Sequence, residues 1–210
     1  MTDFVHLHLH TEYSLLDGAV KVDELVRHCK ENNIDAVAVT DHGNMYASLK
    51  FAEKCKKNKI KAIIGCEFYV VDDYHEHIDQ RADHLILLAK NKAGYVNLVQ
   101  LDSLAFVDGY YYRPRIDYTV LKEHTNGVIC LSACLAGRIP RLLMTGEYEK
   151  AKEFALDMKA AFGEDFYIEI QDHGIPEQKQ ILPLLVRLAR ETEIGLVATN
   201  DVHYLHKEDW

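Results

Sequence analysis

Phe4-Val-His-Leu-His-Leu-His10, close to the N-terminus, alternates apolar residues with histidines, and the interpretation of the whole chain starts from it. A period of two is typical of a β-strand, in which alternate side chains point to one face. The strand predicted over Phe4–Leu9 therefore places the imidazoles of His8 and His10 on the same face, where the strand ends. Two neutral imidazoles side by side are half of a metal-binding site.

Short β-branched or apolar segments alternate with amphipathic segments along the rest of the chain. Seven segments are predicted as strands: Phe4–Leu9, Ala36–Thr40, Lys61–Val70, Leu85–Ala89, Gly127–Leu131, Phe166–Ile170 and Gly195–Thr199. Five are predicted as helices: Val22–Glu31, Tyr46–Lys57, Ala93–Phe106, Tyr148–Phe162 and Pro176–Thr192. This alternation is typical of a mostly parallel sheet covered by helices.

The strands are evenly spread, and no G-x-G-x-x-G motif follows the first of them. We therefore expect a TIM-like α/β barrel in preference to an open dinucleotide-binding sheet. The chain ends at Trp210, soon after the last predicted strand, so such a barrel would lack its closing helix. The sequence is accordingly expected to be one domain, residues 1–210, of a longer chain.

The composition is that of a globular protein, with 48% hydrophobic and 27% charged residues among 210. No apolar segment approaches the ~18 residues of a membrane span and no secretory signal pattern is found, so we expect a cytoplasmic protein with no membrane partner. The five cysteines form no C-x-x-C pair, which favours free thiols. The net charge of −9 argues against a domain that attracts nucleic acid by its own field.

A second pair of metal-competent residues, Asp201-Val-His203, follows the last predicted strand with the same spacing. In a closed barrel the first and last strands are neighbours, so this pair would face His8 and His10. Further candidates stand where other strands end, as active-site residues of parallel barrels do: Asp17, His42, Glu67 and Cys134. His84 is an exception, because it precedes its predicted strand.

Each of these residues alone has a commoner structural explanation. Asp17-Gly18 and His42-Gly43 are typical of turns, and Cys134 is typical of small core residues. Their coincidence at the ends of six strands favours one metal centre. Imidazoles, carboxylates and one thiolate suit Zn²⁺ best, with Mn²⁺ or Fe at the harder positions. Nine ligands exceed what one ion takes, which indicates two or three ions that share a bridging carboxylate.

Three arginines are candidate phosphate contacts: Arg113, Arg115 and Arg138. Arg138 begins a candidate helix after Cys134, and the N-terminal amides of a helix also favour anions. A solvated surface charge is the commoner role of an arginine. Two long irregular segments are predicted: Asp72–Arg81 as a loop and Val107–Thr119 as a surface excursion.

Eight segments carry motifs that occur together in one protein family: Phe4–Gly18, Thr40–Asn44, Gly65–Glu67, Asp83–Asn91, Tyr111–Asp117, Leu131–Leu135, Gln171–Gly174 and Ala198–Tyr204. They resemble the PHP (polymerase and histidinol phosphatase) superfamily, and within it the amino-terminal domain of C-family bacterial replicative DNA polymerases. The resemblance runs end to end and implies a distorted seven-stranded α/β barrel with a trinuclear site. The implied ligands are His8, His10, Asp17, His42, Glu67, His84, Cys134, Asp201 and His203.

The same resemblance distributes these ligands among three ions. Glu67 would bridge two of them, and the remaining ligands would divide into three groups: His8, His10 and Asp201; His84 and Cys134; Asp17, His42 and His203. Glu67, His10 and Asp201 are the residues expected to be catalytic.

The resemblance implies a metal-dependent phosphoesterase, and foremost a 3′–5′ exonuclease that removes mispaired nucleotides by attack of a metal-activated hydroxide. One alternative is a catalytically silent scaffold that stabilises the polymerase and docks a separate proofreading exonuclease; here, however, all nine positions carry ligand-competent residues. Another is a histidinol-phosphatase-like enzyme of small molecules, against which the polymerase-like loop Tyr110–Asp117 argues. The implied partners are DNA, held by the rest of a polymerase chain, and other replisome subunits.

Overall fold

The computed structural model describes residues 4–209. The strands are β1 (Ala36–Val39), β2 (Lys61–Val71), β3 (Asp83–Ala89), β4 (Arg115–Asp117), β5 (Val128–Leu131), β6 (Phe166–Ile170) and β7 (Gly195–Ala198). The α-helices are α1 (Val22–Glu31), α2 (Ser48–Asn58), α3 (Lys92–Val107), α4 (Tyr118–Glu123), α5 (Arg138–Met144), α6 (Tyr148–Phe162) and α7 (Pro176–Thr192). No helix in this part of the chain is both long and apolar enough to cross a lipid bilayer.

Local signals explain where several helices begin. The Asn91 side chain accepts a hydrogen bond from the Gly94 amide at the start of α3, at 3.1 Å. At the start of α4 the Asp117 side chain accepts from the amide of Val120, at 2.9 Å. Each cap satisfies a backbone donor that the first turn of a helix leaves unpaired. Pro176, which has no amide hydrogen, begins α7 at no such cost.

The strands form one curled, mixed sheet in the order β1-β2-β3-β5-β6-β7, with β4 paired to β2. β1 is parallel to β2, and β5, β6 and β7 are parallel to one another. β3 is antiparallel to both of its neighbours, β2 and β5. The predicted α/β class with a distorted, barrel-like sheet is confirmed, although the sheet is more mixed than the alternation of segments predicted.

The predicted first strand, Phe4–Leu9, is not a regular strand in the structure. Its backbone bonds are divided between the two ends of the sheet, so neither partner gives a continuous ladder. On one side His6 and Leu9 accept from the amides of Ala38 and Thr40, at 2.9 and 2.8 Å. On the other side His10 donates to the carbonyl of Val202 at 2.7 Å. This N-terminal segment therefore links β1 to the residues after β7 and curls the sheet towards closure.

The seventh strand comes from a segment that was predicted as a surface excursion. Arg115–Asp117 forms β4, which pairs in parallel with residues 69–71 of β2. Ile116 at its centre is fully buried in the main core. The prediction for Val107–Thr119 is corrected accordingly, because three residues are too few for a period of two to be recognised.

Inward and outward positions alternate along the strands, and they separate two cores. Outward residues of β2, β3, β5 and β6 pack beneath the helices in the largest apolar cluster. Inward residues form a small cluster of their own, with Ile86, Leu88 and Leu131 among its members. Glu67 follows Ile63 by four residues and therefore shares its inward face. The barrel interior is thus apolar towards one end and polar towards the other.

Arg115 of β4 is buried and joins two long loops from within. Its guanidinium donates hydrogen bonds to the backbone carbonyls of Gly109, Tyr74 and Glu76, at 3.1 to 3.3 Å. A flat cation with several donors can satisfy carbonyls from two segments at once. We infer that Arg115 holds these loops together.

The variant Arg115→Met keeps an unbranched side chain but removes every donor. We expect the free energy of unfolding to fall by about 2–3 kcal/mol, because charged hydrogen bonds to buried carbonyls are lost. Urea denaturation measures this quantity. Arg113→Met, at an exposed arginine of the same loop, is the matched control and should change it by less than ~0.5 kcal/mol. Equal losses in the two variants would contradict the anchoring role.

Candidate metal centre

The nine predicted ligands come from segments far apart in sequence, and the structure gathers them at the polar end of the barrel. His8 and His10 lie on the N-terminal segment, Asp17 on the loop after it, His42 after β1, Glu67 in β2, His84 in β3, Cys134 after β5, and Asp201 and His203 after β7. Most of their donor atoms lie within 4 Å of a donor atom of another candidate ligand.

The direction of β3 explains the position of His84. In the register of β2 with β3, His84 stands opposite Tyr69, near the carboxyl end of β2. Because β3 runs antiparallel to β2, its first residues lie at the edge where β2 ends. His84 therefore precedes its strand in sequence and still reaches the other candidates.

His8, His10 and Asp201 form the tightest group. The two Nε2 atoms are 3.1 Å apart, and each is 3.1 Å from Oδ1 of Asp201. Both histidines are fully buried, whereas Asp201 is partly accessible. Donor atoms at this separation can share one ion, since metal bonds to nitrogen and oxygen are ~2.0–2.2 Å long for Zn²⁺.

Glu67 occupies the centre of the cluster. Its Oε2 is 3.2 Å from Nε2 of His10 and 2.7 Å from Nδ1 of His42. Its Oε1 is in contact with Nδ1 of His84. A single buried carboxylate thus touches histidines from three separate segments, which is the arrangement expected of a bridging ligand.

A third group lies nearer the surface. The ring of His10 stacks between those of His42 and His203, with centroid distances of 4.0 and 4.3 Å. Oδ2 of Asp17 is 3.4 Å from Nε2 of His42 and 3.8 Å from Nε2 of His203. Asp17 is exposed, so this group faces solvent.

Cys134 lies at the margin of the cluster. Its Sγ is 4.0 Å from Nδ1 of His84. Among residues 4–209 it belongs to none of the three groups whose donor atoms all lie within 4.8 Å of one another. Burial raises the pKa of its thiol. Cys134 is therefore adjacent to the other candidates without being packed among them.

The cluster has the properties of a cation site. Both carboxylate oxygens of Glu67, Oδ1 of Asp201 and Nδ1 of His42 are buried, and none has a partner with hydrogen-bond geometry within the described residues. Buried polar atoms without partners cost free energy. A divalent cation would remove that cost, and the nitrogen and oxygen donors match those that bind Zn²⁺. The residues present therefore fit divalent metal ions.

The carboxylates of the cluster carry charge despite their burial. Burial by itself raises the pKa of Glu67, but His42, His8 and His84 outweigh it and hold that pKa well below its usual range. For Asp201, burial is likewise outweighed by His8 and His10, and the pKa falls to about 2. Both groups are ionised at neutral pH and are available as anionic ligands. Burial lowers the pKa of His10, which favours the neutral imidazole that a metal requires.

Two carboxylates that sequence analysis did not single out orient the buried histidines. Glu169 lies 2.8 Å from Nδ1 of His8. Ser14 Oγ is 3.1 Å from Nδ1 of His10 and donates to Asp41 at 2.8 Å. With each Nδ1 engaged, the Nε2 atoms face Asp201, as in carboxylate–histidine pairs at metal sites. Glu169 is the only charged residue of the apolar strand β6. A charged residue in such a strand is a signal from which a role at the site could have been predicted.

The three candidate arginines have different surroundings. The prediction that Arg115 contacts phosphate is wrong, because Arg115 is buried and its donors are used by loop carbonyls. Arg138 pairs with Asp72 at 2.7 Å, so its charge is already compensated. Arg113 is exposed, makes no ion pair within residues 4–209, and lines the same groove as His42 and His84. Of the three, Arg113 alone lines this groove without an ion-pair partner among residues 4–209, and it stays a candidate phosphate contact.

Comparison with known proteins places this architecture in a family. The model of the PHP domain family matches residues 6–173. DNA polymerase III subunit alpha of Treponema pallidum is 51% identical over 98% of this chain, and that of Borreliella burgdorferi is 44% identical over the same share. The chain spans 18% of the length of each of these two relatives.

Two solved structures share the fold. An amidohydrolase from Chromobacterium violaceum superimposes with a TM-score of 0.62 at 14% identity, over 98% of this chain and 89% of that one. A protein from Bifidobacterium adolescentis, assigned as a metal-dependent phosphoesterase, gives 0.58 at 16% identity, over 95% and 87%. At such low sequence identities, the similarity shows only that the fold is shared. From the family match and the shared architecture together, we conclude that this chain belongs to the PHP domain family.

Proposed function

We propose that this PHP domain is the metal-dependent phosphoesterase part of a replicative DNA polymerase α subunit, and that it removes nucleotides from the 3′ end of DNA. The observation that carries the proposal is the buried, ionised Glu67, whose two carboxylate oxygens lack hydrogen-bond partners, as do Oδ1 of Asp201 and Nδ1 of His42. Identities of 43–51% to DNA polymerase III subunit alpha support the replicative setting.

The donor groups suggest how two or three ions would be held. Glu67 would be shared by two ions. The other ligands would divide into His8, His10 and Asp201 for one ion, His84 and Cys134 for another, and Asp17, His42 and His203 for a third. Zn²⁺ fits this mixture best, with Mn²⁺ or Fe at the harder positions. Such ions, when bound, polarise a phosphoryl oxygen and bring the pKa of water towards 7.

The chain's own groups prepare this chemistry. Glu67, His10 and Asp201 meet at the centre and are the proposed catalytic residues. Glu169 and Asp41 act as positioning residues, because they fix the rings of the two buried histidines. Arg113 offers the substrate phosphate a cation whose charge no carboxylate of the described chain compensates. DNA itself would be held by the rest of a polymerase chain, since a net charge of −9 repels it.

The strongest alternative is a silent scaffold that stabilises the polymerase and docks a separate proofreading exonuclease. The acidic net charge favours it, because such a surface does not attract DNA by its own field. The ligand-competent residue at each of the nine positions favours a metal-dependent activity. A scaffold would gain nothing from buried carboxylates that lack hydrogen-bond donors. A histidinol-phosphatase-like activity on small molecules is a further alternative. Measured activity separates all three.

Asp201→Asn tests the metal centre. The unchanged protein should carry more than one equivalent of transition metal, and the variant should lose at least one, because a neutral amide is a poorer ligand. Residue 201 has a left-handed backbone with φ +46°, which asparagine adopts readily, so the metal-free thermal midpoint should change little. Elemental analysis and thermal unfolding measure the two quantities. A large loss of midpoint with metal retained would make Asp201 structural.

Glu169→Leu tests the positioning of His8. Zn²⁺ affinity, measured by competition with a chelator, should fall ~10–100-fold, because the ring loses the acceptor that orients it. Glu169→Gln keeps an acceptor oxygen and should recover most of the affinity. Glu164→Leu, at an exposed glutamate, is the control. Unchanged affinity in Glu169→Leu would exclude the positioning role.

The exonuclease activity itself is tested with the polymerase chain that carries this domain. We expect metal-dependent release of nucleotides from a mispaired 3′ end, and His10→Ala or Glu67→Ala should abolish it. Polymerisation should persist, because the two chemistries would occupy separate domains. His75→Ala, in an exposed loop, is the control. If the polymerase releases no nucleotides with Zn²⁺, Mn²⁺ or Fe²⁺, or if the alanine variants remain active, the scaffold function is preferred.

A further inference from the structure

A groove of about 490 Å³ opens beside the candidate metal centre. Asp17, His42 and His84 of the cluster line one part of it, and aromatic side chains line another. Its volume is within the range of pockets that bind small molecules and nucleotides. The groove therefore brings aromatic side chains and candidate metal ligands to one surface.

Four residues form what we call the aromatic wall: Tyr46, Phe106, Tyr110 and Tyr112. The ring of Phe106 lies 6.0 Å from that of Tyr46 and 6.3 Å from that of Tyr110, between centroids. Tyr46, Tyr110 and Tyr112 are 57%, 52% and 79% exposed. Exposed aromatic rings grouped at a site entrance are typical of binding surfaces, because a monomer gains little by exposing them.

A cation, Arg113, lines the same groove and is linked to the cluster through Tyr69. The guanidinium of Arg113 lies 4.8 Å from the ring centroid of Tyr69. The ring of Tyr69 in turn lies 5.2 Å from that of His84 and 6.2 Å from that of His42. A guanidinium at this distance from an aromatic ring makes a favourable cation–π contact. Metal-binding groups, a cation and aromatic faces therefore line a single groove.

We propose that the aromatic wall binds the unpaired bases at the 3′ end of a single-stranded nucleic acid, while Arg113 contacts a neighbouring phosphate. This inference rests on the proposed function and defines its substrate class. Aromatic faces accept any base, so binding is independent of sequence. The surface also suits an acidic domain, because stacking supplies affinity that its net charge of −9 cannot.

The same geometry gives a reason for selecting mispaired ends. A paired terminal base is held by its partner and by its neighbour in the duplex, and leaving that stack costs free energy. A mispaired base is already partly released and reaches the wall at lower cost. The aromatic wall would therefore favour frayed ends without reading the identity of the base.

Binding is measured first without hydrolysis, with the 210-residue chain in EDTA. The probe is a pentathymidylate that carries 2-aminopurine at its 3′ end, whose fluorescence falls when the base stacks. We expect quenching by the unchanged protein. The double variant that combines Tyr46→Ala and Tyr112→Ala should bind the probe at least about tenfold more weakly. Tyr46→Phe with Tyr112→Phe keeps the ring faces and should bind like the unchanged protein. Tyr204→Ala, at an exposed tyrosine outside the groove, is the control.

A competition arm tests the base directly. A pentathymidylate that ends in an abasic residue should compete about tenfold less well than one with all its bases, because it offers one face fewer for stacking. The inference is overturned if no quenching occurs, if the abasic competitor is equally effective, or if the double alanine variant binds normally. Loss of association with other polymerase subunits, with oligonucleotide binding unchanged, would instead identify a protein-docking surface and also overturn it.

The two proposals fail in different ways. Base-dependent binding without release of nucleotides, in the presence of any metal, would support the binding role of the aromatic wall and contradict the exonuclease activity. Release of nucleotides with no change in KM between the unchanged protein and the double alanine variant would support the exonuclease activity and contradict the binding role of the aromatic wall. If both hold, the alanine variant should raise KM about tenfold for a mispaired end and leave kcat nearly unchanged.

Discussion

The burial of one ionised carboxylate, that of Glu67, is the constraint around which the polar end of this barrel is organised. A buried negative charge is tolerated only when other groups compensate it. Here the compensation comes from histidines on three segments that meet only in the folded chain. They contact the carboxylate but leave both oxygens of Glu67 without hydrogen-bond geometry. The residues of the site therefore fit divalent cations, which would compensate these buried oxygens.

The sheet makes this arrangement possible by separating its two faces and its two ends. Outward side chains are apolar and lie beneath the helices, so the core does not depend on the cluster. Inward side chains change from apolar residues such as Ile63 and Leu88 to the polar residues Glu67 and Glu169. The N-terminal segment then connects β1 with the residues after β7 and brings His8 and His10 to Asp201. The same segment thus closes the barrel and contributes two histidines to the cluster.

Around the cluster, the domain lacks the basic field that usually accompanies nucleic-acid chemistry. Its groove offers aromatic faces and the single arginine Arg113 instead. In the function that we propose, stacking and metal ions together replace a basic surface, and the remaining affinity for DNA comes from other parts of a polymerase. This division would keep the domain from competing for DNA that is correctly paired.

The sequence by itself determined most of the helices and strands and the residue types of the candidate site. Helices α1, α6 and α7 have the predicted bounds, because periodicity and end signals are local properties. The H-x-H and D-x-H pairs indicated a metal centre before any fold was known. Only the tertiary structure decided the antiparallel direction of β3, which carries His84 to the cluster, the carbonyl partners of Arg115, and the pairing of Glu169 with His8. Strand direction and the partners of a buried charge depend on contacts between residues distant in sequence, which a local pattern does not encode.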